Sequence, residues 1–126
     1  MVKMKILKVK TADRDYVGEI KETYLLLKVN LQELAKYGDV KEPAVRMQKI
    51  AHKCLSFLEN DKLKNAYAES GTLLKEAGIF FKKYKNNRKN GVMVYAIRID
   101  GLTKELHERI ADMIALKPLE RTLGKY

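Results

Sequence analysis

The residues best equipped for chemistry in this sequence are cations. Between Glu76 and Asp100 there is no acidic residue, while Lys82, Lys83, Lys85, Arg88, Lys89 and Arg98 supply six of the ten net positive charges. Lysine and arginine bind phosphate oxygens and release condensed counterions, so such a run suits nucleic acid. Phe80, Phe81, Tyr84 and Tyr95 are interleaved with the cations, a composition that joins phosphate neutralisation to base stacking. Phe81 and Tyr84 also belong to an apolar stripe, which favours burial for those two. Lys75 completes the set of expected contacts. The reading is a small basic nucleic-acid-binding protein, DNA-binding or RNA-binding, that grips phosphates through 82–89 with little base readout. The alternative is a protein-interaction module, a small complex subunit, adaptor or inhibitor, docking the same face on an acidic protein surface.

Other candidates carry less chemistry. Asp13 and Asp15 offer hard oxygen ligands, but acids at a hairpin tip are ordinary turn formers. Asp13 followed by Glu19-Ile20-Lys21 resembles the acid and E-x-K arrangement of metal-dependent nucleases, where carboxylates hold magnesium and the lysine polarises the nucleophile or phosphate. Alternating charge on an exposed strand explains those residues equally well. His52 and Cys54 are two residues apart, about 200° around a helix, and cannot share one metal ion. His107 has no evident catalytic partner and reads as a solvated helix residue. Serine occurs only at 56 and 70, and no glycine-rich phosphate loop, zinc-ligand cluster or activated nucleophile is evident. No enzyme activity, cofactor or metal is expected.

The bulk properties set the frame. A chain of 126 residues, 46% apolar and 33% charged, suits one folded domain spanning 1–126. The lone Cys54 excludes an intramolecular disulfide, and lysines at 3, 5, 8 and 10 interrupt any secretory apolar run, so a cytoplasmic protein is expected. The longest apolar runs, such as Val92 to Ile97, are far shorter than the roughly 20 residues of a membrane span.

The elements that position the cations follow from periodicity. Residues 3–20 read as a β-hairpin turning at Ala12 to Asp15. Residues 22–37 read as one helix ended by Gly38, in preference to a strand and a short helix capped by Asn30. Pro43 opens a helix over 43–59, with Ala44, Met47, Ile50, Ala51, Cys54, Leu55 and Leu58 on its apolar face. After Asn60-Asp61, a long helix over 62–86 carries Leu63, Tyr67, Ser70, Leu74, Ala77, Phe81 and Tyr84 as its stripe, with Ala66, Leu73 and Phe80 beside it. Gly71 and Gly78 lie on the opposite face, marking either a close approach or a break at Ser70-Gly71-Thr72. The run GVMVYAIRI, 91–99, reads as a strand that is apolar on both faces, and Thr103 then caps a helix ending before Pro118.

The segment VYAIRIDGLTKELHERIADMI is similar to the opening half of a ribbon-helix-helix repressor, which implies a strand in a DNA groove and a helix building a dimer core. Val94 and Ala96 depart from the polar residues that family exposes, and KPLERTLGKY is too short for its second helix. The expected fold is therefore α+β (alpha+beta): a small, mostly antiparallel sheet from the N-terminal hairpin and strand 91–99, packed by the long helical hairpin and a C-terminal helix. An apolar strand with a free edge also predicts a homodimer.

Overall fold

The computed structural model describes residues 15–86 and 91–123, with side chains to 116. Four helices follow in order: α1 (Tyr16–Leu34), α2 (Lys41–Glu59), α3 (Leu63–Tyr84) and α4 (Val92–Leu123), with a short 3₁₀ turn at Gly38–Val40. There is no strand among the described residues, so the α+β expectation is replaced by an all-α bundle. α1 packs on α2 and α4, and α3 packs on α2 and α4. The order around the bundle is thus the order along the chain, with α1 diagonal to α3.

Each helix has a local cause. Asp15, expected in a hairpin turn, is the N-cap of α1 and accepts from the Gly18 N–H at 2.9 Å. Residues 16–20 are therefore helical, and the rest of the expected hairpin, with Asp13, lies outside the described residues. The one-helix reading of 22–37 holds, with an earlier start and an end at Leu34, so that Gly38 opens the 3₁₀ turn and does not cap the helix. α2 ends in a Schellman arrangement: Lys62 N–H bonds Phe57 C=O at 2.8 Å, Asp61 N–H bonds Leu58 C=O at 3.2 Å, and Asp61 takes φ 58°. That turn folds α3 back on α2, as expected. α3 is continuous through Gly71, and Leu63, Ala66, Ser70, Leu73, Ala77 and Phe80 are its buried residues. The buried face is rotated towards the residues read as secondary, leaving Tyr67 exposed and Phe81 and Tyr84 half-buried.

The largest correction concerns 91–99, which is the start of α4. Val92, Ala96, Ile99, Thr103, Leu106 and Ile110 are all buried, and their spacing of four, three, four, three and four is a helical stripe. Burial against α1 and α3 outweighs the β-leaning composition, because strand propensity is mostly a record of packing context. Thr103 is not a cap; its hydroxyl donates back to Asp100 C=O at 2.9 Å within the helix, which continues through Pro118. With the strand go the ribbon-helix-helix likeness and strand pairing as a basis for dimerisation. The core lies between all four helices, with Leu27, Leu31, Leu34, Met47, Leu73, Ile99, Leu106 and Ile110 each at most 1% exposed. Truncating one such leucine to alanine costs about 2–5 kcal/mol.

Candidate functional site

The up-and-down path brings the end of α3, the start of α4 and the α1–α2 connection to one end of the bundle. Two contacts seal it. Tyr37, from the α1–α2 connection, lies against the Tyr95 ring with centroids 6.0 Å apart. A side chain at Gly91, whose φ is 77°, would stand 3.2 Å from the Tyr37 hydroxyl, so the backbone there is both left-handed and closely covered.

Of the expected cations, Lys82, Lys83, Lys85 and Arg98 lie towards this end and face different ways, while Lys75 sits midway along α3. Lys75, Lys82, Lys83, Lys85 and Arg98 are all exposed, while Arg88 and Lys89 lie outside the described residues. Lys75 and Lys82, seven residues apart, share the flank of α3 that carries Gly71 and Gly78 and adjoins α4. Lys83 follows the row of Glu69 and Glu76, which pair with Lys53 and Arg46 of α2 at 3.4 and 3.5 Å, and so faces the α2 side. Arg98 lies on the α1 side of α4, its guanidinium 5.9 Å from the Tyr95 ring centre. The Lys83 ammonium is 5.4 Å from the Tyr84 ring centre. Both rings are half-buried and already covered on one side by a cation.

These cations have no carboxylate partner, as is also true of Lys21, Lys28, Lys41, Lys49, Lys62 and Lys64 among the described residues; what sets Lys82, Lys83, Lys85 and Arg98 apart is a stretch without acids between Glu76 and Asp100. Lys36, Arg46, Lys53, Lys104 and Arg109 each pair with an acid, whereas no ion pair joins Lys75, Lys82, Lys83, Lys85 or Arg98 among the described residues. Lys82 and Lys83 do have a structural use in the last turn of α3, where positive charge offsets the helix dipole by about 0.3–1 kcal/mol. That use needs neither Lys75 nor Arg98.

The remaining candidates resolve into structural roles. Glu19 pairs with Arg109 of α4 at 3.3 Å, and Lys21 lies about 200° further round α1, so the nuclease-like arrangement is not assembled. Cys54 is buried, donates to Ala66 C=O at 3.4 Å, and is pushed up to about 12 by burial and then by Glu69. His52 is exposed.

His107 is not the solvated residue expected. Its Nδ1 is 2.7 Å from the Ser70 hydroxyl and its ring stacks on Tyr67 with centroids 4.4 Å apart. With the Ser70 hydroxyl donating to Tyr67 C=O at 2.8 Å, the arrangement that satisfies both contacts puts a proton on Nδ1, donated to the Ser70 oxygen. Ser70 is wholly buried with its proton committed, and the pair ties α3 to α4 instead of presenting a nucleophile. No sequence signal joins residues 37 apart on two helices.

No protein-family model, curated protein or solved structure matches this chain. Among the described residues, no helix is long and apolar enough to cross a membrane.

Proposed function

We propose that the basic end of the bundle binds nucleic acid through its phosphates, with Lys82, Lys83, Lys85 and Arg98 as described contacts and Arg88 and Lys89 adding charge from the connection between α3 and α4. The observation that carries this reading is that Lys82, Lys83, Lys85 and Arg98 are exposed, make no ion pair among the described residues, and belong to a stretch without any acid between Glu76 and Asp100. Because these cations point to several sides of one end, they suit a charged backbone that wraps or lies across it better than a helix inserted in a groove. Contacts of this kind set position and affinity, and leave base sequence unread.

The test is binding of duplex and single-stranded DNA and of RNA across a salt series. Four or five phosphate contacts on duplex DNA give a slope of log K against log salt of roughly −4, at about −0.9 per contact. Changing Lys85, Arg88 and Lys89 together to glutamate is expected to flatten that slope by about three units and weaken every sequence alike. A triple variant that binds as tightly as the parent, with unchanged cooperative melting, overturns the assignment. A second reading, docking on an acidic protein surface, is favoured on one flank only. There Lys75 and Lys82 stand beside Ile79 and Ile97, 57% and 50% exposed, and exposed isoleucine has no use on a phosphate backbone.

A further inference from the structure

Most large apolar side chains left in solvent fall in two clusters, one on the outer face of α1 and one across α3 and α4, with Val17 and Tyr67 apart from both. On α1, Leu25, Leu26 and Val29 are 57%, 51% and 54% exposed. At about 100° per residue they fall on the side of α1 opposite Leu27 and Leu31. Glu22 precedes this cluster by one turn and Glu33 follows it by one turn on the same side. Lys21 and Lys28 fall on the flank towards α2.

The second cluster straddles α3 and α4. The contact of Ser70 with His107 sets the antiparallel register, which brings Ile79 level with the turn of α4 that holds Ile97. Between these helices the outer surface is bare. A side chain built on Gly78 or Gly101 would meet no atom within 4 Å, so neither glycine is required by packing inside the chain. With no side chain at Gly78, the boundary between α3 and α4 is a shallow furrow bordered by Ile79 and Ile97, with Val94 one turn from Ile97 on the outer face of α4. Lys75 precedes Ile79 by one turn and Lys82 follows it by one turn, both exposed.

We propose that the two clusters bind each other between copies of this chain, the outer face of α1 on one copy seating in the α3–α4 furrow of the next. Apolar residues meet apolar residues, and acids one turn to either side of the first cluster meet lysines one turn to either side of the second. The Glu33–Lys36 pair that must reorganise is a surface pair, its side chains 43% and 71% exposed, and such pairs contribute little. Burial of the aliphatic groups supplies the attraction, and the charges set direction and register. Because the two surfaces differ, the contact is heterologous: each dimer keeps one free face and one free furrow, and growth continues unless a ring closes. This inference does not rest on nucleic-acid binding, although Lys82 belongs to both surfaces.

Light scattering over a concentration series tests it first. The mass should rise from 14.6 kDa past that of a dimer, and less so at high salt. Two variants then test the geometry. Leu25→Glu with Val29→Glu destroys the α1 face, and Ile79→Glu with Ile97→Glu destroys the furrow walls. Each should be monomeric alone, and their equimolar mixture should form a 1:1 complex, since each keeps the surface the other has lost. Gly78→Leu starts from a position where a Cβ meets no atom within 4 Å, and should abolish association while helical circular dichroism is unchanged. A parent that stays monomeric to about 0.5 mM overturns the proposal. So does a mixture that fails to associate, either double variant associating by itself, or a Gly78→Leu protein that associates like the parent.

Discussion

Alanine at Gly78 and alanine at Gly91 should move stability in opposite directions. Gly78 sits in the middle of α3 with nothing within 4 Å of a methyl group placed there. An alanine in a helix interior is worth about 1 kcal/mol over glycine, partly because it narrows the unfolded ensemble, and here no clash subtracts from that gain. Gly91 holds φ 77°, where an L residue is disfavoured by about 1–2 kcal/mol. Its new methyl would also press on the Tyr37 hydroxyl at 3.2 Å. The two variants should therefore differ by about 2–3 kcal/mol. For a domain of this size 1 kcal/mol moves Tm by about 4 °C, so Gly78→Ala should melt above the parent and Gly91→Ala below it by at least as much. Thermal and urea melts at low micromolar protein, where association contributes least, read both values. A Gly78→Ala protein that melts below the parent would mean that the furrow face is already packed. A neutral Gly91→Ala would mean that the connection does not hold the left-handed conformation.

Cys54 predicts an alkaline limit to stability. Because burial pushes its thiol from 9.0 to about 12, the folded state keeps a proton the unfolded state loses, and stability falls as pH rises across that interval. The effect reaches at most roughly 4 kcal/mol by pH 12. Cys54→Ala should flatten the pH dependence of urea unfolding above pH 9, and an unchanged slope refutes it. For His107, nitrogen NMR at alkaline pH should find the proton on Nδ1. Ser70→Ala, which removes that bridge, should cost about 1–3 kcal/mol, and an Nε2 proton in the parent would contradict the hydrogen-bond direction.

The helices flanking the Asn60-Asp61 turn were legible because their apolar residues recur at three and four with a cap signal between them: 43–59 and 62–86 lie close to the observed Lys41–Glu59 and Leu63–Tyr84. The segment GVMVYAIRI was misleading because its β-branched and aromatic residues satisfy a two-residue alternation. The helical stripe emerges only when Val92, Ala96 and Ile99 are followed through Asp100-Gly101 to Thr103, Leu106 and Ile110. Reading Asp100-Gly101 as a break cut that stripe in half. For the site, sequence located the charge but not its directions. Lys82 and Lys83 are adjacent in the chain yet face different neighbours, and only the ion pairs of Glu69 and Glu76 with α2 show which. The link between Ser70 and His107 had no local trace, since it depends on the register between two helices.

The circular order of the helices has a kinetic consequence. Three of the four helix interfaces join neighbours in the chain, and only the seam between α1 and α4 closes a loop of nearly the whole molecule. Such a map has low contact order, which places folding in the microsecond-to-millisecond range typical of helical bundles. Loop-closure entropy makes the α1–α4 seam the costliest to nucleate. The Glu19–Arg109 pair that bridges it is therefore expected to form late. Variants there should chiefly speed unfolding, whereas changes in the α2–α3 hairpin should slow folding.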